Sequence, residues 1–122
     1  MPWTLDDSRP IYLQLEDLIK ARIIAGTYKP GERLPSVREL AAEAAVNPNT
    51  MQKALTELER SGLVYVQRTS GRFITEDTNI MKELKEHLAK EQIQLFLTHM
   101  KQLGFQKEDI IRLLTQEIKE EI

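Results

Sequence analysis

No cysteine occurs among the 122 residues, which excludes disulfides, thiolate nucleophiles and cysteine-based zinc sites and fits a cytoplasmic location. No apolar run approaches the roughly 18 residues that a membrane helix needs, so no membrane partner is expected. The opening residues MPWTLDDSRP contain neither the basic stretch nor the apolar segment of an export signal. Basic charge is not in excess either: 17 Lys and Arg stand against 19 Asp and Glu, a net of −2. Residues 1–75 hold ten basic against nine acidic side chains, a net of +1, and residues 76–122 hold seven against ten, a net of −3. Nucleic-acid-binding domains are usually strongly basic, so such a role here must rest on where charges stand rather than on their surplus. A hydrophobic content of 41% and a charged content of 30% are those of a soluble globular chain, long enough for one domain or a small domain with an appendage.

Catalytic constellations are missing too. His87 and His99 lie twelve residues apart with no clustered carboxylates, which is not a ligand spacing, and they read as surface or interface histidines. Serines 8, 36, 61 and 70 have turn, cap or helix-end explanations and no His-Asp set accompanies them. No glycine-rich phosphate loop is present. No enzyme, metal site or cofactor is expected.

What is present centres on LPSVRELAAEAAVNPNTMQKALTELERSG, residues 34–62. Ser36 and Glu39 have the spacing of a capping box, followed by Val37, Leu40, Ala41 and Ala44 at helical intervals. The helix must stop before Asn47-Pro48, because proline disfavours the α conformation in the residue before it. The same pair opens a second helix, with Asn47 as cap and Pro48 in its first position. Met51, Ala54, Leu55 and Leu58 form its buried stripe and Gly62 its C-terminal cap. Asn49, Gln52, Lys53 and Thr56 share the opposite face. This spells a helix-turn-helix. Asn and Gln can pair with the major-groove edge of adenine, and Lys can reach guanine or phosphate; a merely solvated polar face is the competing explanation.

Before this unit, a helix is expected from Pro10 to about Ala25, with Ile11, Leu15, Leu18, Ile19 and Ile23 as its apolar stripe and Gln14, Glu16, Asp17, Lys20 and Arg22 turned to solvent. Residues 1–9 read as a flexible lead-in in which Trp3 can pack back on the domain. Pro30-Gly31 suits a type II turn, and residues 32–34 a very short strand. After Gly62, the β-formers of 63–67 and 73–75 flank RTSGR, giving a hairpin with a cationic tip. Arg68 and Arg72 are then placed to reach phosphates or a minor groove, and Gly71 to permit close approach.

The segment from PIYLQLEDLIK through PGERLPSVREL and VNPNTMQKAL to SGRFI, about residues 10–75, resembles the DNA-binding domain of the GntR family of bacterial transcription regulators, and the YtrA-like subfamily in particular. The resemblance implies backbone contacts from Ser36 and Arg38, and an approach to the operator by Asn47, Asn49, Thr50, Gln52 and Lys53. Arg33, Pro48, Arg68, Ser70, Gly71 and Arg72 complete the expected DNA-contact set. Relatives often carry Arg at the positions of Pro48 and Gln52, which implies a different, more A·T-rich site here. Thr69 stands where the family wing often has its first glycine.

Residues 76–122 read as a helical hairpin: one helix from Ile80 to about Leu103, a break at Gly104, and a second from about Gln106 to the end. Met81, Leu84, Leu88, Ile93, Leu95, Phe96, Leu97, Met100, Ile110 and Leu114 are more apolar surface than such a hairpin can bury alone, so they are expected to form a homodimer interface. Packing back onto the first domain is the competing explanation. The whole is therefore expected to be mainly α with a small β wing: a winged helix-turn-helix domain (1–75) and a C-terminal α-helical hairpin (76–122). The expected function is a homodimeric, sequence-specific DNA-binding regulator, a repressor of its own or, as the resemblance implies, a transporter operon. Its partners would be a palindromic duplex, a second copy, and any small-molecule effector held at the dimer interface or near residues 75–79. A winged-helix protein-interaction module without specific DNA binding is the alternative.

Overall fold

A computed structural model describes residues 3–121 in the order α1 (Ile11–Ile24), α2 (Val37–Ala44), α3 (Pro48–Arg60), β1 (Val64–Gln67), β2 (Gly71–Ile74), α4 (Thr78–Gln102) and α5 (Lys107–Glu121). Met1 and Pro2 of the expected lead-in and Ile122 of the expected second tail helix lie outside the described residues. The capping box closes at both bonds: Ser36 Oγ accepts from the Glu39 amide and the Ser36 amide donates to Glu39 Oε1, each at 3.2 Å. Asn47 Oδ1 accepts from the Asn49 amide at 2.7 Å, and Pro48 opens α3. Between them α2 ends on Ala45, which has a left-handed φ of 58°. There the Val46 and Ala45 amides return to the carbonyls of Ala41 and Ala42, a helix end that normally selects glycine.

α1 packs along α3, and α2 packs on α3. Leu15, Ile19 and Ile23 of α1, Leu40, Ala41 and Ala44 of α2, and Met51, Ala54, Leu55 and Leu58 of α3 make the core. Gln14 departs from expectation. Instead of facing solvent it is buried: its Oε1 accepts from the Asp6 amide at 2.9 Å, while its Nε2 donates to the carbonyls of Asp6 and Arg9 at 2.8 and 2.7 Å. Residues 3–9 are thereby held against α1 rather than left as a free lead-in, because one amide side chain satisfies three backbone groups of the arm.

The Glu32 amide donates to the Lys29 carbonyl at 2.9 Å, with Gly31 at φ 79°, as a type II turn requires. Residues 32–34 then run beside β2: Ile74 donates to Glu32, Leu34 donates to Arg72, and Arg33 bridges Phe73. β1 and β2 pair antiparallel, with Val64 opposite Ile74, Tyr65 opposite Phe73, Val66 opposite Arg72 and Gln67 opposite Gly71. β2 thus begins at Gly71, earlier than the β-former run suggests, which moves Arg72 from the tip into the ladder. Val64 and Ile74 seal the core on one face, and the Tyr65 and Phe73 rings stack at 5.8 Å on the other.

Asp77 caps α4 by accepting from the amides of Asn79 (2.9 Å) and Ile80 (3.3 Å). The chain forms two compact units, Met1–Glu83 and Leu84–Ile122. Their division falls inside α4 rather than at 75/76. The first turns of α4 belong with the first unit: a Cβ on Gly62 would come within 3.3 Å of Ile80 Cδ1. In the second unit, Gly104 (φ 91°) ends α4, with the Phe105 amide returning to the Met100 carbonyl at 3.2 Å. α5 opens with Glu108 and Asp109 in its first turn, where the helix dipole favours carboxylates.

Candidate nucleic-acid interface

α3 presents Asn49, Gln52, Lys53 and Thr56 on its exposed face, while Thr50 is half-buried. Gln52 and Thr56 are mutually braced: Thr56 Oγ1 donates to the Gln52 carbonyl at 2.9 Å, and Gln52 Nε2 reaches Thr56 Oγ1 at 3.4 Å. Asn47 and Pro48 are exposed at the head of the helix. With its oxygen occupied by the cap, Asn47 keeps its amide NH2 for a partner. Lys53 Nζ lies 3.9 Å from the centroid of the Tyr12 ring of α1, a cation–π contact worth ~0.5–1 kcal/mol at an exposed site. Tyr12 thus takes part in the surface although nothing in its periodicity marked it.

Ser36 and Arg38 stand exposed at the start of α2, and among the described residues Arg38 has no ion pair or side-chain hydrogen bond, so its charge is available. At the wing, Arg68 and Ser70 are exposed. Gly71 has φ 109°, and a Cβ there would lie 3.0 Å from Arg33 Nε. Arg33 therefore lies over the hairpin, and glycine makes room for it. Arg72 differs from the expected tip cation. Its Nε donates to Glu59 Oε1 of α3, with only 19% of the Arg72 side chain and 27% of the Glu59 side chain exposed. Glu59 was not among the candidate residues. Its place seven residues after Gln52, on the same helical stripe, was the available signal.

A second polar cluster ties the arm to the helices. Trp3 Nε1 donates to Glu43 Oε2 at 2.6 Å; Arg22 bonds Glu43 Oε2 at 2.7 Å and the Tyr28 hydroxyl at 2.8 Å, and its guanidinium covers the Trp3 ring at 4.4 Å. Burial pushes the Glu43 carboxyl up, but the bonds from Arg22 and Trp3 outweigh it and hold the carboxyl below its ordinary value. A cleft of about 310 Å³ lies beside this cluster.

In the second unit the expected dimerisation residues separate into groups. Ile93, Leu95, Phe96 and Leu114 are exposed, and Leu88, Leu97 and Met100 half-buried, as are Leu84 and, in the first unit, Met81. Ile110 is buried within the hairpin, 4% exposed, and so is spent on intrachain packing. Ile93, Phe96 and Leu97 of α4 and Leu114 of α5 line an apolar groove of about 440 Å³. His87 is exposed and pairs with Glu91 one turn on at 2.7 Å. Among the described residues no three His, Cys, Asp or Glu side chains converge as for a metal ion, and no helix is long and apolar enough to cross a membrane.

Residues 11–74 match the model of bacterial regulatory proteins of the gntR family. The HTH-type transcriptional regulator YhcF of Bacillus subtilis is 45% identical over 104 residues, covering 85% of this chain and 86% of that protein. The HTH-type transcriptional repressor YtrA of the same organism is 38% identical over 104 residues, covering 84% and 80%. Among solved structures, a GntR family transcriptional regulator from Listeria monocytogenes superposes with a TM-score of 0.83 at 41% identity, covering 92% of this chain and 98% of that one. The AraR DNA-binding domain in complex with operator ORX1 superposes with a TM-score of 0.56 at 25% identity, covering 62% and 95%. With a helix-turn-helix whose polar face is exposed and a two-stranded wing beside it, this chain belongs to the gntR family of bacterial regulatory proteins and is a winged-helix, DNA-binding transcriptional regulator.

Proposed function

We propose that the protein is a cytoplasmic homodimeric repressor that occupies a two-fold symmetric operator, its own or that of a transporter operon. In this reading α3 enters the major groove, where Asn49 and Gln52 read base edges. Ser36, Arg38 and Lys53 hold phosphates, and Arg33 and Arg68 of the wing side meet the neighbouring backbone. The observation that carries the dimer is the uncovered apolar face of the second unit, where Ile93, Phe96 and Leu114 are exposed and line one groove. A second copy covers that face symmetrically and doubles the phosphate contacts of a domain whose net charge is only +1 over residues 1–75. The repressor role is supported by the name of the YtrA relative.

The test is selection of duplexes from a random pool at near-physiological salt. Enrichment of a palindrome with half-sites about 34–36 Å apart, or a multiple of that, is expected for a dimer of this class. Enrichment of a single unsymmetric half-site would remove the dimer from the account, and absence of any enrichment would remove specific recognition.

A further inference from the structure

We infer that Glu59 and Arg72 form a strut that sets the wing's position relative to the recognition helix, making both positioning residues and leaving the wing's DNA contacts to Arg68 and Arg33. The inner end of the hairpin is secured by buried Val64 and Ile74 and by residues 32–34 beside β2. Its outer part, Val66 through Ser70, is exposed. At the junction of the two stands Arg72, opposite Val66 in the ladder, with its guanidinium turned back to Glu59 on α3. The pair is largely withdrawn from water, with 19% and 27% of the side chains exposed. A charge-assisted bond in such surroundings is directional, and removing one member leaves the other uncompensated. Because α3 and the wing are joined by a bond of fixed geometry, the depth of α3 in its groove determines which backbone the wing tip meets. Arg72 is already neutralised by Glu59 and so releases no counterions on binding. The inference rests on the proposed docking of α3 and the wing on DNA.

Counting charges tests it. Binding of the full-length protein to a random-sequence duplex pool is measured over a series of salt concentrations, with thermal unfolding as a control. Arg72→Gln should keep the wild-type slope of log K against log salt, while losing several-fold affinity for the operator selected above. Glu59→Gln should free Arg72 for phosphate and steepen the slope by about 0.9 per protomer. The double variant should return to the wild-type slope, which separates release of Arg72 from simple loss of an acidic charge. Flattening by about 0.9 per protomer in Arg72→Gln would place Arg72 on phosphate and overturn the strut, as would an unchanged slope in Glu59→Gln. Should Glu59→Gln fail to fold, the slope of Arg72→Gln decides alone. A wild-type protein without salt-dependent binding would overturn the docking itself, and the strut's role with it.

Discussion

Replacing Phe96 by glutamate should dissociate the proposed dimer without unfolding the protomer. Phe96 leaves 38% of its surface in water, Ile93 53% and Leu114 44%. Full burial of such a side chain is worth ~1.5–3 kcal/mol, so covering the exposed part contributes about 1 kcal/mol. A two-fold interface counts each residue twice. Over Ile93, Phe96, Leu114 and Ile118 the gross gain is then about 8 kcal/mol, against an association cost of ~4–15 kcal/mol. Such a dimer has little to spare. Phe96→Glu removes about 1 kcal/mol from each protomer and places two carboxylates on an apolar surface, for a total of about 2–3 kcal/mol. That corresponds to a dimerisation constant weakened about 30- to 140-fold. Sedimentation velocity over a concentration series measures it. Gln94→Glu, two residues away and so off that face, serves as the charge control. Equal weakening by both variants, or none by Phe96→Glu, would refute the assignment of this face to the dimer.

Three local features give further expectations. Ser36→Ala should cost ~1 kcal/mol of stability in urea unfolding. It should also let the Glu39 carboxyl rise towards its ordinary 4.5, since bonds from the Ser36 amide and hydroxyl hold it lower. A folded value below the unfolded one gives stability that is present above pH 4.5 and lost as pH falls through the folded value, so part of the variant's deficit should vanish in acid; an unmoved Glu39 titration in the variant would contradict this. Ala45→Gly should raise stability by roughly 0.5–1 kcal/mol, because an L-residue is strained at the left-handed φ that glycine accepts; a lower melting temperature would show that Ala45 is not so held. Gln14→Ala should cost roughly 1–3 kcal/mol and accelerate hydrogen exchange at the Asp6 amide, and unchanged protection there would mean the arm is held by other contacts.

The helix-turn-helix was legible because its signals are local. Ser36 and Glu39 are three residues apart, Asn47 caps through Asn49, and proline acts on the residue before it, so no knowledge of distant segments is needed. The buried stripes of α2 and α3 follow from periodicity for the same reason. The second unit was legible as two helices, yet which apolar residues face inward was not. Periodicity marks Ile110 and Leu114 alike, whereas packing in the hairpin buries the first and leaves the second exposed.

By itself, then, the sequence determined the elements, their order, the turn geometry and the polar face of α3. Each depends on backbone sterics or on bonds spanning a few residues. Tertiary structure alone decided which polar side chains are free. Trp3 meets Glu43, Lys53 rests on Tyr12, Arg72 meets Glu59, and Gln14 gathers the arm. Composition weighs every cation equally. Closing the chain brings some of them onto a carboxylate or a ring and leaves Arg38 and Arg68 open, because only folding sets distances between residues far apart in sequence.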